Sequence, residues 1–259
     1  MTSCFAPKGF DMSLPTFSYE HLLNYDDICK IIDTHSFWVE YEPIIDMNNG
    51  DIFGYEALAR FVINGKQIPP TPVLHVAHQV KELFFRLESA LKIMQLTHRP
   101  RDARMLFVNI DPHNFSDSEK ILYWRDLFEE EPDICIEVTE NTDDMQTSLL
   151  SHCLDEIQKS GIPIAQDDIG NDQKPFCFDL TKRAQFLKFD RTWLLKIRAC
   201  ADYQEILKGF LSFAKAQGKK SILEGVESEE DFAVAKALGV DFVQGYIFKH
   251  LNICSQKRS

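Results

Sequence analysis

Short apolar runs rich in Ile, Val and Phe recur along the chain, each bounded by polar or turn-forming residues. Eight of them read as strands: 37–45 ("FWVEYEPII"), 52–61 ("IFGYEALARF"), 105–110, 134–140, 162–168, 185–190, 221–227 and 241–246. Between them the apolar spacing becomes helical. Residues 73–94 place Val73, Leu74, Ala77, Val80, Leu83, Phe84, Leu87, Leu91 and Met94 at that spacing. Further helices are predicted over 145–161, stopped by Gly161, over 202–217, and over 229–238, stopped by Gly239. "MNNG" (47–50) turns the first strand back on the second, an antiparallel hairpin. A hairpin followed by six strands separated by helices is the pattern of a modified TIM (β/α)8-like barrel, an α/β fold with an irregular, antiparallel start. Residues 1–25 lack a clear period and read as an N-terminal extension. No Pro-, Gly- or Ser-rich linker divides residues 26–259, which read as one domain.

Seven consecutive runs carry a polar or charged residue near their C-terminal end: Glu56, Asn109, Glu137, Asp167 with Asp168, Lys188 with Asp190, Glu224, and Gln244. In a parallel barrel those ends converge on one face, where such folds do their chemistry. Side chains alternate along a strand, so Lys188 and Asp190 share a face, as do Phe107 and Asn109. Glu137 and Glu140 have opposite parity, so one is expected at the mouth and the other bracing a neighbouring loop.

Bringing Glu56, Glu137, Asp167, Asp168 and Glu224 together sets roughly five negative charges against one lysine. Burying them unpaired costs several kcal/mol each or forces protonation. Divalent cations resolve this. Carboxylates, one amide oxygen and water suit Mg2+ or Mn2+ far better than zinc. Of two adjacent aspartates, one can bridge two ions while the other completes one shell, and a two-metal site is suited to in-line attack on a phosphodiester.

Charge narrows the ligands. Against 28 Lys and Arg stand 40 Asp and Glu, a net charge of −12. An acidic surface repels DNA and RNA polymers but admits a small anion bridged by metal. The seven cysteines are scattered, with no C-x-x-C pair, which points to a reducing compartment. No leader pattern and no apolar stretch of membrane-spanning length is visible, so a soluble, cytoplasmic protein without membrane contact is expected. His75 and His78 share a helix face, but no Glu or further His is placed in sequence to complete a metal site, so they read as ordinary surface. Glu227 reads either as a site residue or as a cap for the helix that follows it. G-x-S-x-G, P-loop and G-x-G-x-x-G signatures are absent.

The strand-end residues also carry a resemblance. "YEALAR", "VNI", "IEVTE", "DDIG", "LKFD", "EGVE" and "VQGY" resemble, in order, the motifs of the EAL-domain family, bacterial phosphodiesterases that linearise cyclic di-GMP. The match runs from about residue 26 to 249. It implies a modified barrel and two bound Mg2+ or Mn2+ ions. Glu56, Asn109, Glu137 and Asp167 would hold one ion; Asp167, Asp168 and Glu224 would hold the other. Lys188 would stabilise charge at the scissile phosphate, with Gln244 near the attacking water. Arg60 and Asp190 would contact the ligand, Glu140 would anchor the loop after "DDIG", and Glu227 would support the lysine region. The implied reaction is hydrolysis of cyclic di-GMP to linear pGpG by a water activated between two metals, without a covalent intermediate.

The chain departs from the family after "DDIG". Family members follow with T-G-Y-S-S-L, whereas "NDQKPFCFDL" stands here, with Ile169 for Phe and Pro175 in the loop. In the family this loop helps position the second metal and contributes to homodimer contacts. Its alteration leaves an alternative open: a catalytically silent EAL protein that senses cyclic di-GMP or regulates through a protein partner.

Overall fold

The computed structural model describes residues 23–101, 105–115, 117–129, 131–138, 147–174 and 176–255. Glu140, Pro175 and most of the predicted extension lie outside these. In chain order the elements are α1 (Tyr25–Asp33), β1 (Phe37–Asp46), β2 (Ile52–Ile63), β3 (Lys66–Ile68), α2 (Pro70–His78), α3 (Lys81–Thr97), β4 (Leu106–Ile110), α4 (Ser118–Glu129), β5 (Ile134–Val138) and α5 (Thr147–Lys159). They continue as β6 (Ile164–Ile169), α6 (Phe178–Arg183), β7 (Phe186–Phe189), α7 (Thr192–Ala199), α8 (Tyr203–Ala216), β8 (Lys220–Leu223), α9 (Glu229–Leu238), β9 (Phe242–Val243) and β10 (Ile253–Cys254). No helix among the described residues is long and apolar enough to cross a membrane.

β2, β4, β5, β6, β7, β8 and β9 run parallel in that order, and β1 closes the circle by pairing antiparallel with both β2 and β9. The result is an eight-stranded barrel with an antiparallel first strand, as the hairpin pattern predicts. Short β3 and β10 add to its outside, on β2 and β1. Local signals set the element ends. Asn24 caps α1, accepting from Asp26 N and Asp27 N, and Ser228 with Asp231 forms a capping box on α9. Asn24 and Tyr25 thus already belong to the first helix.

The helix predicted over 73–94 is two helices. Val80 between them is extended (φ −129°, ψ 107°) and 41% exposed, not turned to the core. A β-branched residue has little helix propensity to resist that break, and the turn lets α2 and α3 cover different parts of the barrel start.

Inside the barrel, alternation along the strands organises the site. One layer contains Phe107, Cys135, Ala165, Phe186, Ile222 and Phe242. Two residues further along the same strands or just past them come Asn109, Glu137, Asp167, Lys188, Glu224 and Gln244. Gly54 and Glu56 stand in the same relation on β2. An apolar floor therefore lies one side-chain repeat beneath a polar mouth. Aromatic rings fill the floor: Phe53 stacks on Phe242 at 4.2 Å, and Phe107 meets Phe186 edge-on at 5.1 Å. Gly54 is required by space, since a Cβ there would lie 2.3 Å from the Met105 carbonyl oxygen.

Candidate active site

Lys188 is the hub of the mouth. It is fully buried, and its Nζ lies 2.7 Å from Glu137 Oε1, 2.8 Å from Glu224 Oε1, 3.1 Å from Asp167 Oδ1 and 3.3 Å from Glu56 Oε2. Four carboxylates share one ammonium. Burial opposes the lysine's charge, but Asp167, Glu137, Glu224 and Glu56 outweigh it and hold its pKa well above the ordinary value.

The carboxylates divide. Burial works against ionised Glu56, yet Lys188 and hydrogen bonds from Gln244 Nε2 (2.7 Å) and Asn109 Nδ2 (3.0 Å) keep its pKa below the usual range. Glu137, Asp167 and Glu224 are pushed up, by burial first and by neighbouring negative charge second, Glu137 and Glu224 strongly. One ammonium does not neutralise the cluster.

Asp167 and Asp168 face the mouth together because β6 does not stay regular. Its register shifts between Gln166 and Ile169, and Asp168 takes a left-handed φ of 56°. Simple alternation would send one aspartate to the opposite face; the irregularity re-aims it. Carboxylate oxygens of Asp167, Asp168 and Glu224 consequently lie within 4.8 Å of one another. Gly170 follows at φ 93°, and a Cβ there would lie 2.1 Å from Trp193 Nε1, which donates to the Ile169 carbonyl at 2.8 Å.

These residues fit divalent cations. Both oxygens of Glu137 and Oδ1 of Asp167 are buried without a hydrogen bond of good geometry, the ammonium contacts notwithstanding. Surplus buried negative charge on oxygen donors is what a hard cation compensates. Asp168, Asp167 and Glu224 form one cluster able to hold an ion; Glu56, Asn109, Glu137 and Asp167 line its other side.

Beside this centre opens a cavity of about 370 Å³ reached by Glu224, Gln244 and Glu227. Arg60, Arg191 and Lys249 line it together with Glu40, Glu42, Tyr246 and Asn252. Arg60 is steered by Glu40, to which its Nε donates at 2.7 Å. Glu42 faces Glu56 across the β1–β2 pair; burial first, then that carboxylate, raises its pKa. Tyr246, 64% exposed, offers an open ring at the rim, with Lys249 Nζ 4.6 Å from its centroid.

Two expected site residues sit differently. Asp190 Oδ1 accepts from Thr192 N at 2.7 Å and from Thr192 Oγ1, so its described hydrogen bonds hold the start of α7. The cap of α9 is Ser228, which leaves the Glu227 side chain on the cavity wall. Sequence reasoning missed Glu40 and Glu42, although two glutamates at period two in the apolar run "WVEYEPII" mark one charged face of a buried strand.

A family model described as "EAL domain" matches residues 27–250. Among curated proteins, the chain is 26% identical over 247 residues to "Cyclic di-GMP phosphodiesterase RocR" of Pseudomonas aeruginosa, covering 86% of this chain and 59% of that one. It is 25% identical over 238 residues to "Probable cyclic di-GMP phosphodiesterase PdeN" of Escherichia coli, covering 85% and 44%. The chain spans between 26% and 66% of the length of the first curated relatives it matches. Among solved structures, the Bacillus subtilis YkuI protein with an EAL domain, in complex with c-di-GMP and calcium, superposes with a TM-score of 0.72 at 22% identity, covering 92% of this chain and 59% of that one. The PaMucR phosphodiesterase in complex with c-di-GMP gives 0.70 at 21%, covering 86% and 94%. With the family model spanning the whole barrel and these neighbours sharing its fold, the chain belongs to the EAL domain family.

Proposed function

We propose that this domain hydrolyses cyclic di-GMP to linear pGpG with Mg2+ or Mn2+. The observation that carries the reading is the cluster of four carboxylates around the buried Lys188 ammonium, opening on a cavity lined by Arg60, Arg191 and Lys249. Relatives named as cyclic di-GMP phosphodiesterases support it.

Glu56, Asn109, Glu137, Asp167, Asp168 and Glu224 would hold the cations, which when bound supply an activated water and withdraw charge from the phosphate. The arginines and Lys249 attract and orient the dinucleotide's phosphates, and the Tyr246 ring offers a face for a guanine. Lys188, kept protonated by its neighbours, faces charge developing on phosphate oxygens. Gln244 fixes Glu56 and so the direction of its carboxylate. The aromatic floor places an apolar, low-dielectric wall beneath the site, which strengthens each of these interactions.

Purified protein incubated with cyclic di-GMP and either ion tests the reading, with Glu56→Ala as control. Conversion to pGpG by the unaltered chain alone is expected; no pGpG from folded protein under either ion would sink it. A second reading, binding without turnover, is favoured by one contact: Lys174 of the atypical loop pairs with Asp168 at 2.6 Å. Calorimetric binding of cyclic di-GMP without hydrolysis would establish it.

A further inference from the structure

His78 is not the lone surface histidine that its helix suggests. At the C-terminal end of α2 it meets Asp111, the residue after β4, and His113 in the single turn Pro112–Phe115. Asp111 Oδ1 lies 2.7 Å from His113 Nδ1, and Asp111 Oδ2 lies 3.7 Å from His78 Nε2. The two imidazole rings meet edge-on, 4.5 Å apart at 88°. One donor atom from each residue lies within 4.8 Å of the others. The sequence could not reveal this, because Asp111 and His113 lie more than thirty residues downstream and only the barrel's parallel order brings the end of β4 beside α2.

We propose that His78, Asp111 and His113 form a separate binding site for a late first-row divalent ion of the Zn2+, Co2+ and Ni2+ class. Donors around such an ion stand about 2.0–2.2 Å from it, hence about 3–3.5 Å from one another. Separations of 2.7 Å and 3.7 Å to Asp111 bracket that range, and the third pair lies within 4.8 Å, so side-chain rotation would bring the donors together. The carboxylate is organised in advance: Asp111 is 8% exposed, and its Oδ1 also accepts the backbone N–H of His113 at 2.9 Å. The His78 ring is seated edge-on against Phe84 at 4.8 Å. His78 is exposed and His113 half-buried, which leaves an entry path and room for water as a further ligand.

Donor chemistry separates this site from the barrel mouth. Two imidazoles and one carboxylate select zinc-like ions, whereas an all-oxygen centre suits Mg2+ and Mn2+. The two are also linked by a short length of chain. Asp111 lies two residues beyond Asn109, which donates to Glu56 at 3.0 Å, so an ion on Asp111 restrains the segment that presents Asn109 to the mouth.

The probe is Co2+, titrated into chelator-stripped full chain with Mg2+ in large excess to occupy the oxygen centre. Visible absorption reports coordination and calorimetry the stoichiometry. One Co2+ with nitrogen-ligand absorption bands is expected, its affinity falling at least tenfold in His78→Ala and in His113→Ala and persisting in Asp168→Asn. His78→Ala alters an exposed position and His113→Ala a half-buried one, and thermal melting verifies that both fold. No Co2+ binding under excess Mg2+, binding unchanged in both histidine variants, or binding lost in Asp168→Asn would each overturn the proposal. The proposal does not depend on turnover of cyclic di-GMP.

Discussion

Lys174 Nζ sits 2.6 Å from Asp168 Oδ2. The lysine belongs to the loop that replaces the family's T-G-Y-S-S-L, and its ammonium takes one oxygen of a carboxylate proposed to hold a cation. Asp172 of the same loop pairs with Lys196 of α7 at 2.8 Å, holding the loop down. With the proposed ions, an intramolecular cation would compete with a diffusible one. Because the pair is partly exposed, the competition amounts to about 0.5–1 kcal/mol, or two- to fivefold in affinity. Lys174→Ala should tighten Mn2+ binding by that factor in a calorimetric titration; an unchanged affinity would show that the lysine does not compete.

The excess of carboxylates at Lys188 should make the metal-free protein less stable than its fold permits. Glu137→Gln fixes one buried member in the neutral form toward which burial and Glu56 already push it, and so relieves the cost of keeping it ionised. Thermal melts in chelator should show the variant more stable than the parent, by about 1–3 kcal/mol. With saturating Mn2+ the order should reverse, because the variant lacks a charged donor. A variant less stable under both conditions would contradict this account.

Gly54 leaves no room for even a methyl group. Its missing Cβ would meet the Met105 carbonyl oxygen, the acceptor of the Tyr55 N–H at 2.9 Å that ties β2 to the segment entering β4. Gly54→Ala must push these strands apart, at about 1–3 kcal/mol or more. The urea midpoint should fall accordingly, and Glu56, two residues on, should bind Mn2+ more weakly. A midpoint equal to the parent's would rule out the steric account.

Asp231 supplies a pH test. Burial alone would raise its pKa, but Arg198, Ser228 and the Glu227 N–H outweigh burial and lower it. A depressed carboxylate contributes stability that is fully present above its unfolded value, about 3.9, and lost as pH falls through the folded value. Asp231→Asn should therefore destabilise by about 1–3 kcal/mol near neutral pH, with the difference shrinking in strong acid. Urea unfolding at pH 7 and pH 3 measures this; a gap of the same size at both would contradict it.

Much of the barrel was written in the apolar spacing. All eight predicted runs form strands, and the parity argument put Asn109 above Phe107 as the structure does. What escaped depended on three-dimensional neighbours. Val80 fits a helical period but breaks the helix, because which elements it must span is not a local property. β3 and β10 are too short to leave a pattern. Asp167 and Asp168 share the mouth only through a strand irregularity that alternation cannot foresee. Arg191 and Asn252 reach the cavity from loops whose geometry is set by the strands they join.

The aromatic floor has a consequence for traffic. Phe53, Phe107, Phe186 and Phe242 pack against one another beneath the charged layer, so the approach to that layer is from the side of the cavity. A ligand that enters there would leave by the same side. A product that keeps its phosphates on Arg60, Arg191 and Lys249 would obstruct the next arrival, and a molecule that bridges the rim from Glu40 to Tyr246 could stopper the chamber without touching a single buried carboxylate.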